Sequence, residues 1–82
     1  MDDLKRIKNI IQILENYSNG NFINEDTEII NSDLIDSFAL IQLIFDLESK
    51  FKIKINAEEL NINNFKNAKT ISKFIKDIDV ND

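Results

Sequence analysis

The N-terminal part of the chain repeats apolar residues at helical spacing. Side chains three or four residues apart lie on the same face of a helix. The residues of this first stripe are Leu4, Ile7, Ile11 and Leu14, with Ile10 and Tyr17 widening it. The pattern predicts a first helix over residues 2–17. Asp2 and Asp3 lie at its start, where negative charge is favourable.

Residues 18–35 show no clean period. The stretch begins with turn-forming residues around Gly20, the only glycine of a chain that has no proline. We interpret it as a long loop between the first and second helices, attached to the core by its apolar side chains. These side chains are Phe22, Ile23, Ile29 and Ile30. An irregular connection of this length inside a small domain is usually functional, or else it indicates that the elements have been misassigned.

Residues 37–51 have the most regular pattern in the chain and predict a second helix. The core stripe of this helix consists of Leu40, Leu43, Ile44, Leu47 and Phe51. A narrower apolar stripe, rotated to one side, consists of Phe38, Ile41 and Phe45. This second stripe is either buried because the helix is central in the bundle, or exposed as a docking surface for partners.

After the second helix, Lys50, Lys52 and Lys54 alternate with apolar residues in a way that superficially suggests a strand. No second convincing strand is available for pairing, so we expect an extended connector with the lysines at a solvated edge. Asn56 followed by Glu59 predicts the start of a short helix near residues 57–62.

The end of the chain predicts one more helix, with Asn67 as its N-cap. Its apolar stripe consists of Ile71, Phe74, Ile75 and Ile78. The chain is therefore predicted to be a single all-α domain over residues 1–82. We expect a small four-helix bundle of three longer helices and one short helix.

Composition excludes most routes to independent catalysis. The chain has no cysteine and no histidine, so it lacks thiol nucleophiles, imidazole bases and the usual zinc ligands. We expect no enzymatic activity, no catalytic residue and no metal site.

The net charge of −5 argues against a nucleic-acid partner. No signal peptide and no apolar run of about 20 residues is evident. We therefore expect a cytoplasmic monomer without membrane insertion.

The candidate for chemistry is Ser37, which follows Asp36 at the junction of the long loop and the second helix. A hydroxyl at this position lies beside the unsatisfied N–H groups at the positive end of a helix. A phosphodiester on that oxygen would be stabilised there, as anions are at helix N-termini. The simpler alternative is that Asp36 or Ser37 is an ordinary N-cap.

The run Asp36-Ser37-Phe38, followed by an apolar helix that ends in Glu48 and Phe51, resembles the acyl carrier protein family. The resemblance covers almost the whole chain and implies an acyl-carrier-protein-like bundle. It implies that Ser37 is the attachment point of 4′-phosphopantetheine, which a phosphopantetheinyl transferase takes from coenzyme A. The arm would carry an acyl or aminoacyl group as a thioester, and Asp36 would support the transferase reaction.

The resemblance also implies partners and the surface that they contact. Besides the transferase, these are an acyl- or aminoacyl-loading ligase and downstream acyl-accepting enzymes. The second helix is the main recognition element of such carriers, and Phe38, Ile41 and Phe45 match its apolar contact positions. A small helical interaction module that uses the same residues without any modification is the non-carrier alternative.

The subtype differs from carriers of fatty acid synthesis. Positions that are usually acidic along the recognition helix of those carriers read Ala39, Gln42, Ser49 and Lys50 here. The pattern is closest to D-alanyl carrier proteins of teichoic acid modification, through Leu34-Ile35-Asp36-Ser37-Phe38 followed by Gln42-Leu43. Those proteins commonly have glycine at the position of Ala39. Carriers of specialised amino-acid or polyketide pathways would look similar.

Overall fold

The computed structural model describes residues 2–18, 22–30, 35–56 and 61–80. Within these ranges the chain is all-helical and has no strand. The elements are α1 (Asp3–Glu15), α2 (Ser37–Phe51), a 3₁₀ helix (Ile62–Phe65) and α3 (Ala68–Val80). The all-α prediction is confirmed, and residues 53–56 form the expected connector without a strand.

Helix α1 begins at its N-cap Asp2, whose carboxylate accepts a hydrogen bond of 2.9 Å from the Lys5 N–H. Ile10 and Leu14 are fully buried, whereas Leu4 is 70% exposed. The predicted apolar stripe of the first helix therefore includes one residue, Leu4, that the core does not cover. At the helical repeat, Leu4 lies about 120° around the axis from Ile10, at the far edge of the apolar stripe.

Arg6 occupies the buried face of α1 at the position one turn before Ile10. Its guanidinium donates to the Asp3 carboxylate at 2.7 Å and to the Ser72 hydroxyl of α3 at 3.4 Å. The Lys76 ammonium lies 4.0 Å from the same Asp3 carboxylate. The hydrogen bond from Arg6, together with the charge of Lys76, lowers the pKa of Asp3 below its ordinary value. Polar contacts from Arg6 and Asp3 thus join α1 to Ser72 and Lys76 of α3.

Helix α2 has the predicted bounds, and its core stripe faces inwards: Leu43 and Leu47 are fully buried. The helix ends sharply because Lys52 adopts a left-handed conformation with φ of 54°. The N–H groups of Lys52 and Ile53 then bond to the Glu48 carbonyl, a helix C-terminus of the Schellman type. The Glu48 carboxylate also accepts a hydrogen bond of 2.8 Å from the Ile55 N–H, which fixes the connector against the helix.

The described part of the long loop is anchored to the beginning of α3. The Ile29 N–H donates to the Lys66 carbonyl at 3.0 Å, and the Lys69 N–H donates to the Glu25 carbonyl at 3.2 Å. Ile29 is fully buried, as predicted. Phe22 is 81% exposed, so its predicted role as an anchor is wrong. Backbone hydrogen bonds further along the loop provide the attachment without it.

The predicted short helix near 57–62 falls largely on residues 57–60, which lie outside the described residues. The described chain resumes at Asn61, whose side chain accepts from the Asn63 N–H at 3.0 Å and caps the 3₁₀ helix. In the described ranges the bundle therefore has three α-helices and one 3₁₀ helix. A fourth α-helix stays a prediction.

Asn67 caps the start of α3, as predicted. The Asn67 side chain accepts from the Thr70 N–H at 2.9 Å, and the Thr70 hydroxyl accepts from the Asn67 N–H at 3.1 Å. This reciprocal pair satisfies two N–H groups at the helix start. Phe74 packs edge-on against the buried Phe65, with ring centroids 5.5 Å apart.

Among the described helices, none combines the length and apolar character that a membrane span requires.

Candidate functional site

The N-terminus of α2 is capped by Asp36. Its backbone is extended, and its carboxylate accepts a hydrogen bond of 2.8 Å from the Ala39 N–H. The Asp36 carbonyl accepts from the Leu40 N–H at 2.9 Å, the first bond of the helix. Of the two residues proposed as caps, Asp36 takes the role, and Ser37 is the first residue of α2. The side chain of Ser37 lies outside the described part of the structure.

The chain emerges from the core immediately before this cap. Ile35 is buried, and its N–H donates to the Ile29 carbonyl at 3.1 Å. Asp36 is exposed, and Phe38 on the other side of Ser37 is 84% exposed. The backbone at position 37 is therefore flanked by two exposed residues and preceded by a fixed one. The hydrogen bond of Ile35 therefore anchors the chain two residues before Ser37, and α2 begins at the molecular surface.

Phe38, Ile41 and Phe45 form an exposed row along α2, here called the apolar strip. Their exposed fractions are 84%, 56% and 58%. Phe45 lies about 160° around the helix from the buried Leu47, so the bundle covers the core stripe and leaves this strip open. The alternative in which both stripes are buried is excluded for these residues. Exposed large apolar side chains in a row are typical of an interaction surface.

Polar side chains beside the apolar strip are linked by hydrogen bonds. The Tyr17 hydroxyl, at the end of α1, donates to one oxygen (Oδ2) of the Asp46 carboxylate. The Gln42 amide donates to the other oxygen (Oδ1) at 3.4 Å. Burial and the hydrogen bond to Asp46 raise the pKa of Tyr17 to about 12. The phenol therefore keeps its proton, and its role as a donor, throughout the neutral range.

Sequence reasoning missed the contact between Tyr17 and Asp46. The sequence pattern places Tyr17 only in the apolar stripe of the first helix, and Asp46 belongs to neither apolar stripe of the second. The two residues are 29 positions apart, so no local spacing connects them.

Lys50, Lys52 and Lys54 are exposed, as expected for a solvated edge. Within the described ranges, no cluster of three or more carboxylates could hold a metal ion.

No family model matches the sequence, and no curated protein matches it either. The assignment of a function therefore depends on the residues at the start of α2 and on the surface beside them.

Proposed function

We propose that the protein is a discrete acyl or aminoacyl carrier and that Ser37 carries its 4′-phosphopantetheine arm. The observation that supports this most directly is the setting of Ser37. It is the first residue of a helix, it follows a capping aspartate, and it precedes an exposed phenylalanine. This is the arrangement that the resemblance to acyl carrier proteins implies for the modified serine.

The residues at the start of α2 fit a phosphodiester. The first turn of a helix presents N–H groups that lack partners within the helix. Asp36 uses one of them, from Ala39, and the remaining ones and the helix dipole favour an anion on the Ser37 oxygen. The flanking residues Asp36 and Phe38 are exposed, so a large arm at position 37 would extend into solvent.

In the proposed modification, the Ser37 hydroxyl attacks the coenzyme A phosphorus that bears the pantetheine arm. A new P–O bond to Ser37 forms, the pyrophosphate P–O bond breaks, and 3′,5′-adenosine bisphosphate leaves. The hydroxyl proton passes to a base of the transferase, and Asp36 supports this reaction. Once attached, the group supplies a flexible arm with a terminal thiol, which a chain without cysteine lacks, for holding the cargo as a thioester.

The apolar strip serves as the docking surface for the enzymes that act on the arm. Its residues recur one helical turn apart along a single face, which is the pattern of a helix that inserts into a groove of its partner. The transferase, the loading ligase and the accepting enzyme would contact this strip in turn. The arm keeps the cargo at high effective concentration near each of them.

Among carriers, an aminoacyl subtype similar to D-alanyl carriers of teichoic acid modification is favoured over a carrier of fatty acid synthesis. The exposed positions Gln42, Ser49 and Lys50 carry no negative charge, and Ala39 is half-buried. Docking to basic patches of fatty acid synthase enzymes depends on complementary acids at such positions. A carrier of a specialised amino-acid or polyketide pathway has the same features.

The test is the intact mass of the protein before and after incubation with coenzyme A and a broad-specificity phosphopantetheinyl transferase. We expect one increase of the size of phosphopantetheine in the wild type, and none in Ser37→Ala. Ser49→Ala is the matched control, because Ser49 is an exposed serine of the same helix, and it should be modified like the wild type. A folded wild type that neither this transferase nor the transferase of the source organism modifies would contradict the proposal.

A second readout separates the carrier from the unmodified interaction module. The module predicts that Ser37→Ala keeps full function in the cell, since only the apolar strip is needed. The carrier predicts complete loss of function with the same variant, although the fold is unchanged.

A further inference from the structure

Each carboxylate of α2 and its cap is engaged by the chain itself. Asp36 accepts from the Ala39 N–H, and Glu48 accepts from the Ile55 N–H. Asp46 differs from these two because one of its donors, Tyr17, lies outside α2, just after the end of α1. The carboxylates of α2 and its cap thus all accept hydrogen bonds from within the molecule.

Asp46 is the carboxylate closest to the apolar strip in sequence, directly after Phe45, and Gln42 lies between the strip and Asp46 around the helix. Each of its oxygens already accepts one hydrogen bond, Oδ2 from the Tyr17 hydroxyl and Oδ1 from the Gln42 amide. An arginine of a partner binds a carboxylate best through two parallel hydrogen bonds, one to each oxygen. To bind Asp46 in that way, a partner would have to compete with both donors for the carboxylate oxygens.

We propose that Tyr17 is a specificity-determining residue of the docking surface: it withholds Asp46 from basic partner residues and so selects enzymes whose groove contacts the apolar strip without a charge pair. The inference depends on the carrier function proposed above and identifies the kind of partner that this carrier accepts. Specificity commonly requires such an element that acts against the wrong partner. Here that role falls to Tyr17, which lies just after the end of α1 and outside α2.

The test compares two phosphopantetheinyl transferases. One is the broad-specificity enzyme, and the other selects acidic carriers through basic contact residues. The substrates are the wild type, Tyr17→Phe, Asp46→Asn and the double variant. Tyr17→Phe keeps the ring and removes only the donor, whereas Asp46→Asn keeps the shape and removes only the charge.

With the basic transferase, we expect Tyr17→Phe to raise kcat/KM about fivefold or more, because Asp46 then keeps only the long hydrogen bond from Gln42, at 3.4 Å. Adding Asp46→Asn should abolish that gain, and Asp46→Asn alone should change kcat/KM by less than about twofold. The broad-specificity transferase should modify all four chains at similar rates. A purely structural role of Tyr17 would lower kcat/KM with both enzymes and could not produce a gain with one.

Two other results would overturn the inference. One is an unchanged kcat/KM of Tyr17→Phe with the basic transferase. The other is a loss of about fivefold or more on Asp46→Asn alone, which would show that Asp46 is already recognised in the wild type. If neither transferase modifies any of the four chains, the carrier function itself fails and the inference falls with it, a result distinct from the first two.

Discussion

The carboxylate of Asp36 accepts a hydrogen bond of 2.8 Å from the N–H of Ala39, three residues further along α2. The same side chain is the one proposed to support modification of the adjacent Ser37. Capping needs only an acceptor oxygen, whereas the proposed chemical role needs the negative charge. The two roles can therefore be separated by substitution.

We expect Asp36→Asn to keep the cap, because Asn and Asp are about equally good N-caps, so the free energy of unfolding should change by less than about 1 kcal/mol. The rate of modification by the transferase should fall, since the charge is lost. Asp36→Ala should lose both functions, with a stability cost of about 0.5–2 kcal/mol. Urea unfolding and the time course of intact mass measure the two effects. Modification of Asp36→Asn at the wild-type rate would show that the charge has no part in the reaction.

Alanine substitutions on the two apolar faces of α2 should have different effects on the free energy of unfolding. Leu47 is fully buried, so Leu47→Ala should lower the free energy of unfolding by about 2–5 kcal/mol. Phe45 is 58% exposed, so Phe45→Ala should cost less than about 1 kcal/mol while lowering kcat/KM of the transferase. Urea unfolding of both variants decides the matter. A loss of several kcal/mol at Phe45 would mean that this residue belongs to the core.

Tyr17 should titrate well above an ordinary tyrosine, with a pKa of about 12. It is the only tyrosine in a chain without tryptophan, so the absorbance of the ionised phenol reports this one residue. Burial is the main cause of the raised pKa, and Asp46 adds to it. In Asp46→Asn we therefore expect a midpoint below that of the wild type but still above the ordinary value of 10.0. A wild-type midpoint at the ordinary value would contradict the contact.

The same titration affects stability at alkaline pH. A raised pKa in the folded state means that the fold favours the protonated phenol, and this contribution is complete below pH 10.0. It should be lost progressively as the pH rises from there to about 12. The difference in free energy of unfolding between the wild type and Tyr17→Phe should shrink across this window. The difference isolates Tyr17 from the lysines that titrate in the same range.

Asp3 should contribute to stability with the opposite dependence on pH. Its pKa is lowered by Arg6 and Lys76, so its contribution is present above the ordinary value of 3.8 and is lost as the pH falls through the lowered pKa. The advantage of the wild type over Asp3→Asn should therefore disappear in strong acid. Asp77→Asn, which removes an exposed carboxylate of α3, controls for the change in net charge. An advantage over Asp3→Asn that is independent of pH would contradict this account.

The left-handed Lys52 offers a stabilising substitution. A residue with a Cβ is strained at φ of 54°, and glycine is not. Lys52→Gly should raise the free energy of unfolding by about 0.5–1 kcal/mol, after allowing for the greater flexibility of glycine in the unfolded chain. Lys54→Gly, two residues further along the connector, should give no such gain. Chemical denaturation of both variants measures the difference.

Local signals in the sequence were sufficient for the bounds of α2 and for the N-cap Asn67, and they narrowed the cap of α2 to Asp36 or Ser37, because capping depends on residues only three positions apart. The orientation of α1 was harder to predict. Arg6 is buried because Ser72 and Asp3 supply partners for it, and one of these is 66 positions away. The predicted stripe therefore includes the exposed Leu4 and leaves out the buried Arg6. The contact between Tyr17 and Asp46 likewise appears only when two helices pack together.

The two backbone hydrogen bonds between the loop and the start of α3 also constrain the order of events during protein synthesis. A nascent chain that ends before Lys66 has no acceptor for the Ile29 N–H, and Glu25 has no donor until Lys69 has been added. Glu25 and Ile29 thus gain these contacts only after the ribosome has translated well beyond Ser37. An enzyme that recognises Ser37 in its folded setting would have to act late in translation or after release. Ribosome-bound chains of increasing length would show this delay directly.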